Sequence, residues 1–230
     1  LSERPKRAAS PGCTSTVGGT ALPRHTATPP VEQILPSAAE VAAAVGNPME
    51  TSGPPVRGDI SVLPNGIRDE SVTSPIRCLG AVMPFMRVVY EKGDVRTVAW
   101  QQFSRFGAGA TVSSVDAGVI RFGSNAEAQR MFDAFVAQWR GCQGTTVTTH
   151  IPVGDLFATV TDVRTDGPIL SATIQTGEAG DAFPTEHAVG VAGSYIIDVD
   201  AAVTAGAPAD RIAAGRAVKL ATAMLDKVGD

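Results

Sequence analysis

No apolar run in this chain approaches the roughly 20 residues that cross a bilayer as a helix. It contains no Cys-x-x-Cys pair, no His-Glu-x-x-His helix, no Walker-type phosphate loop and no Gly-x-Ser-x-Gly elbow. The common zinc, nucleotide and serine-hydrolase motifs are therefore missing. So are kinase signatures, because no glycine-rich phosphate loop is followed by a catalytic loop and Asp-Phe-Gly. Histidines number three and aromatics make up 5% of the residues. Charged residues are 18% and the formal net charge is −4. That leaves no electrostatic case for nucleic acid. The charged opening from Leu1 to Arg7 cannot be the apolar centre of a signal peptide, so any export signal is expected outside it.

What is abundant is small and apolar. The 230 residues are 43% hydrophobic, enough for one well-buried core or two small ones. Nine of the sixteen prolines fall between Pro5 and Pro55, and no hydrophobic periodicity appears before about Pro30. Such a segment cannot bury enough apolar surface to offset its ordering entropy. Residues 1–33 are read as a disordered tether and 34–230 as the folded domain.

The first helix signal is Ser37-Ala38-Ala39-Glu40, a capping box, with Gly46 as its stop. A second helix is expected from about Pro75 to Tyr90, kinked or split at Pro84. Val95–Phe103 and Val115–Phe122 read as strands. Ser124 and Glu127 form another box, opening a helix whose face carries Met131, Phe132, Phe135, Val136 and Trp139, with Gly141 as stop. Period-two segments follow: Val147 with Ile151, Leu156 to Val160, Leu170 to Ile174, and a last strand over Val191 to Val199. A closing helix is expected from Pro208 to Val228. Helices early and late with strands and tight turns between them give an α+β order and a mainly antiparallel sheet.

The three cysteines are Cys13, Cys78 and Cys142. Cys78 and Cys142 flank apolar helix faces that should share a core. A bridge between them would close a loop of about 64 residues and contribute roughly 4 kcal/mol in the chain-entropy model. The alternatives are two separate buried thiols or a catalytic Cys–His pair with His150 or His187. Cys13 lies in the tether, where lipidation would consume an exposed thiol; the plainer reading is an incidental tail cysteine. No metal-ligand spacing occurs, and no cofactor is expected.

Candidate binding residues are Arg96, Trp100 and Gln102 on one strand face, with His187 and Tyr195 further on. Plainer readings set Trp100 as a cover for the sheet with Arg96 at its rim, and His187 as structural. Asp198 and Asp200 share a strand face and could bind a cation or do acid–base work, though such a pair is more often a solvated strand end. Gly107-Ala108-Gly109 reads as a loop. A hydrolase would need Ser194 or Thr185 as nucleophile beside His187.

The run Ile76-Arg77-Cys78-Leu79-Gly80-Ala81-Val82, the helix end Gln138-Trp139-Arg140-Gly141-Cys142, and Glu186-His187-Ala188-Val189 followed by Tyr195-Ile196-Ile197-Asp198-Val199 resemble the PknH-type extracellular sensor domain of mycobacterial membrane kinases and related lipoproteins. The resemblance covers about Leu35 to Val228. It implies a disulfide between Cys78 and Cys142 and a single twisted antiparallel sheet, with helices packed on it and a broad cleft. Thr185 and Ala202 stand where a second family disulfide is expected, so that bridge is absent. Cys13 to Ala21 looks like the start of lipoprotein relatives, although Ser10-Pro11-Gly12 is a poor lipidation signal. The implied function is non-catalytic sensing in the cell envelope, of a small polar ligand or an envelope component. The membrane would be reached only through a lipid at Cys13. The second reading is a structural or interaction lipoprotein without a small ligand, marked by an exposed apolar patch.

Overall fold

A computed structural model describes residues 29–177, 182–204 and 215–229. Cys13 and the tether up to residue 28 lie outside the described residues, as does the expected helix start at Pro208. The folded part begins with a helical turn, α1 (Val31–Ile34), whose Val31 and Ile34 are buried. Val31 thus belongs to the core although it precedes the expected boundary at 33/34. Helix α2 (Ala38–Val45) opens on the reciprocal Ser37–Glu40 box and closes on Gly46 in the left-handed region.

The strands are β1 (Glu50–Thr51), β2 (Val56–Gly58), β3 (Thr73–Ser74), β4 (Val95–Ser104), β5 (Val112–Phe122), β6 (Thr146–Ile151), β7 (Gly154–Asp166), β8 (Ile169–Thr176), β9 (Phe183–Ala192) and β10 (Tyr195–Val203). They form one sheet in the order β1-β4-β5-β10-β9-β8-β7-β6-β3, with β2 also paired to β4. Every pairing is antiparallel. The expected α+β fold, a single antiparallel sheet with helices packed on it, is what the chain adopts.

Helices cover both faces of the sheet. On the first face lie α3 (Leu79–Val82), α4 (Arg87–Tyr90) and α5 (Asn125–Cys142), over a core that includes Phe132, Phe135, Trp139, Ile120, Leu170 and Ile196. On the second lie α1, α2 and the C-terminal helix α6 (Arg216–Gly229), over Phe103, Val119, Ile197, Leu220 and Met224. The central strands β9 and β10 are therefore buried on both sides, and their sequences read as near-continuous apolar runs. This is why alternation alone merged Val191 to Val199 into one strand. Gly193, at φ 53, instead makes a two-residue turn between paired Ala192 and Tyr195, with glycine in the first central position.

Pro84 splits the second helix into α3 and α4, one of the two outcomes expected of it. One helix boundary differs from expectation. Helix α5 runs through Gly141 to Cys142, and the left-handed residue is Gly144. Its N-terminal box is half formed: Ser124 accepts from the Glu127 amide at 3.2 Å, while the Glu127 carboxylate pairs with Arg130.

Cys78 and Cys142 form the disulfide, with Cα atoms 5.7 Å apart and a sequence separation of 64. It joins the segment entering α3 to the end of α5, so neither buried thiols nor a catalytic thiol exist at these positions. Thr185 and Ala202 are direct cross-strand partners on β9 and β10, the placement a bridge would require. A Thr185→Cys, Ala202→Cys double variant, once oxidised, should be about 2–3 kcal/mol more stable than its reduced form, as judged by urea unfolding with and without reductant. Failure to oxidise would show that the two side chains do not face each other.

Candidate functional site

Adjacent residues of a strand point to opposite faces, and β9 uses this at Glu186-His187. Glu186 turns to the second face and caps α6. Its Oε2 accepts from the Arg216 and Ala217 amides, and its Oε1 accepts from the Arg216 guanidinium at 2.6 Å. His187 turns to the first face and is 1% exposed. Its Nδ1 contacts the Ala81 carbonyl at 2.9 Å, and a carbonyl can only accept. Its Nε2 lies 2.8 Å from Asp198 Oδ1. Asp198 Oδ2 also accepts from the Tyr90 hydroxyl at 2.6 Å and the Phe85 amide at 3.2 Å.

Both imidazole nitrogens are thus donors and the ring is cationic. Burial opposes that charge, but Asp198 outweighs it and His187 is raised above the usual histidine value. Burial, and then the Asp198 charge, push the Tyr90 hydroxyl well above the ordinary phenol value. Trp139 lies 4.5 Å from the His187 ring and donates its indole N–H to Gly80 at 3.0 Å. This knot ties α3, α4 and α5 to β9 and β10. It is a structural centre closed to solvent.

Beyond it, the first face opens. Phe85 has φ 59, an unusual backbone for a bulky residue. Its ring stacks on Trp100 at 5.9 Å and fills the space above Gly118, where a Cβ would come within 2.4 Å of it. Past this wall, Gln102, Asp116 and Asp200 form one cross-strand row that continues to His187. Gln102 is exposed, and Asp116 and Asp200 are half-buried.

Carboxylates directly opposite on neighbouring strands repel each other. Burial raises Asp200 to about 7, with the His187 cation lowering it and Asp116 and Asp198 raising it. Burial raises Asp116 to about 6, with Gln102 lowering it and Asp198 raising it. Neither carboxylate forms an ion pair with Lys or Arg among the described residues.

The expected binding residues are only partly brought together. Trp100 and Gln102 border the open half-face. Arg96 shares the strand but sits near its other end, about 20 Å from Gln102 at the usual strand rise, and pairs with Asp94 at 2.6 Å. His187 is spent in the knot. Tyr195 lies in the second-face core, its hydroxyl bonded to the Pro29 carbonyl, and cannot join the others. Asp198 and Asp200 are not a solvated strand end: one is buried and the other half-buried. Sequence reasoning passed over Asp116, a lone acid inside an apolar strand.

Ser194 sits in the β9–β10 turn, and among the described residues no hydroxyl bonds His187, so the expected pairing of Ser194 or Thr185 with His187 does not form. Two concavities, of about 270 and 510 Å³, are lined respectively by residues including Arg164, Thr173 and Glu186, and Glu32, Pro54 and Arg57. Neither includes Gln102, Asp116 or Asp200.

Two outcomes follow from these charges. Asp198→Ala should destabilise the domain by about 3–5 kcal/mol in urea unfolding, because it strands a buried imidazolium and two donors. For Asp200, whose ordinary value is 3.8 and folded value about 7, the folded state binds the extra proton between those limits. Stability therefore falls as pH rises through that window and is flat for this group above it. Asp200→Asn should be on the order of 1 kcal/mol more stable than wild type at pH 8, with the advantage reduced to less than half at pH 5 and lost only below the ordinary value of 3.8. Parallel unfolding curves at the two pH values check this.

The fold matches the crystal structure of the extracellular domain of PknH from Mycobacterium tuberculosis, with TM-score 0.72 and 22% identity, over 86% of this chain and 94% of that one. A looser likeness, TM-score 0.43 and 14% identity over 84% and 97% of the two chains, is to an uncharacterized protein (the Rv0999 ortholog) from Mycobacterium smegmatis. No curated protein matches in sequence. The family model described as the PknH-like extracellular domain matches residues 27–227. A match over almost the whole folded length decides the affiliation: the chain belongs to the PknH-like extracellular domain family and is an extracytoplasmic domain.

Proposed function

We propose that this domain is a non-catalytic sensing module of the cell envelope that binds a small polar ligand on the open half of its first sheet face. The observation that carries this reading is the contrast within one face. The knot around His187 satisfies every polar group it contains. The neighbouring row of Gln102, Asp116 and Asp200 holds two half-buried carboxylates without an ion-pair partner among the described residues. Native proteins rarely leave such groups unmatched without a functional reason. The absence of turnover is supported by the same geometry. His187 has no free nitrogen, and both cysteines of the folded domain are joined. Lipidation at Cys13 would supply attachment to a membrane, with the following residues as spacer.

A second reading, partner docking without a small ligand, draws on the exposed Phe106, Ile151 and Val153, at 79%, 42% and 90% exposure. Phe106 and Val153 lie in the β4–β5 and β6–β7 connections and Ile151 at the end of β6, which the strand directions place at one end of the sheet.

Thermal-shift measurements against fractionated envelope small molecules separate the two. Wild type should gain stability with at least one fraction, and Gln102→Ala with Asp116→Ala should lose that gain while melting cooperatively. If no fraction shifts the wild type, and photo-crosslinkers at Phe106 and Val153 capture a protein in intact cells, the docking reading replaces the first.

A further inference from the structure

We infer that the Asp116–Asp200 row is a recognition site for an ammonium group, so that the ligand is a small amine-bearing molecule and not a neutral polyol. This depends on reading the half-face as the ligand site, and it adds the ligand's chemical class.

Three observations converge on that row. The first is the charge balance. On the strands and helices that face it, the titratable groups are Asp116 on β5, Asp198 and Asp200 on β10, His187 on β9, Tyr90 on α4, and Glu50 on β1, which is paired with Arg105 at 3.6 Å. Arg96 on β4 is near the far end of its strand and is paired with Asp94. The His187 cation is matched by Asp198 at 2.8 Å, which leaves Asp116 and Asp200 without an ion-pair partner among the described residues.

The second is unspent hydrogen-bonding capacity. Thr185 is 8% exposed and lies two residues from His187 on the same strand, hence on the same face and diagonal to Asp200. Its hydroxyl makes no hydrogen bond among the described residues. The third is the wall. Phe85 and Trp100 stack beside the carboxylates, and an aromatic wall next to paired acids suits an alkylammonium, whose methylenes pack while the charged head is bonded.

No group of three or more His, Cys, Asp or Glu able to hold a metal ion occurs among the described residues, so the pair is offered to an organic cation. In the free protein near pH 6, burial first, and then repulsion from the neighbouring carboxylates, keeps a proton on the pair. An incoming ammonium takes over the balancing role, and that carboxyl proton leaves to solvent. Binding therefore releases a proton at pH 6 and little or none at pH 8.5, where the pair is already ionised.

The test uses the full chain with 5-amino-1-pentanol as probe. Its neutral isostere 1,5-pentanediol and magnesium chloride serve as controls at matched ionic strength. Titration is followed by amide chemical shifts, and proton release by calorimetry in two buffers of different ionisation enthalpy. Expected are shifts centred on Gln102, Asp116, Asp200 and Thr185, affinity at least fivefold weaker for the diol, and close to one proton released at pH 6. Asp116→Asn and Asp200→Asn, which keep shape and remove charge, should each weaken amine binding about tenfold and abolish the proton release.

Equal binding of amine and diol, or no binding of the amine, overturns the ammonium assignment while the envelope-fraction assay can still support a ligand site. Binding retained by both Asn variants, or magnesium shifting the same residues more strongly, also overturns it. A null result in the fraction assay together with amine binding here would leave the site but remove the sensing role.

Discussion

The domain is organised by a dipeptide on its central strand. Glu186 and His187 point to opposite faces of β9, and each meets a helical layer through a buried charge. On one side the carboxylate closes the N-terminal end of α6 and holds Arg216. On the other the imidazolium joins Asp198 and the Ala81 carbonyl. A sheet covered on both faces gains most of its stability from non-directional apolar burial, which does not by itself choose one helix placement. Two saturated polar clusters, back to back on one strand, supply a directional constraint. Breaking either leaves a buried charge without its partner.

The same constraint creates the contrast that marks the candidate site. Asp198 draws the Phe85 amide onto itself, and Phe85 in its left-handed conformation lays its ring on Trp100 over Gly118. The polar knot thereby ends in an aromatic wall, and the row beyond it stays uncovered by α3, α4 or α5. Asp200 lies two residues from Asp198 on one strand, yet Asp198 meets three donors and Asp200 meets none among the described residues. Their difference is one of cover, and cover belongs to the tertiary fold. The open row thus sits beside a rigid centre, an arrangement that holds a binding surface in place at little entropic cost on association.

Much of the architecture was legible in the sequence. The Ser37–Glu40 box and Gly46 fixed α2, and the Met131-to-Trp139 stripe fixed the buried face of α5. Where reading failed, it failed for physical reasons. β9 and β10 are buried on both faces, so the alternation that marks a half-buried strand is erased and the Gly193 turn is hidden within an apolar run. The lone Asp116 gave no motif, because a carboxylate acquires its character from what stands across the strand, and that partner is more than eighty positions away. Tyr195 and His187 looked alike as polar-tipped residues near one segment. Strand parity and the turn between them put one in each core.

What the chain alone determined was local: capping, periodicity, the tether's composition and the two cysteines suited to a bridge, each set by residues within a few positions of one another or by side-chain chemistry. What only the tertiary structure decided was which polar groups are satisfied. Strand register set Asp200 against Asp116 and His187 beside Asp198, and the wrapping of α3 to α5 buried one pair and left the other open. Hydrogen-bond satisfaction and repulsion between like charges fall off within a few ångströms, so they are properties of neighbours in space, which a linear order does not specify.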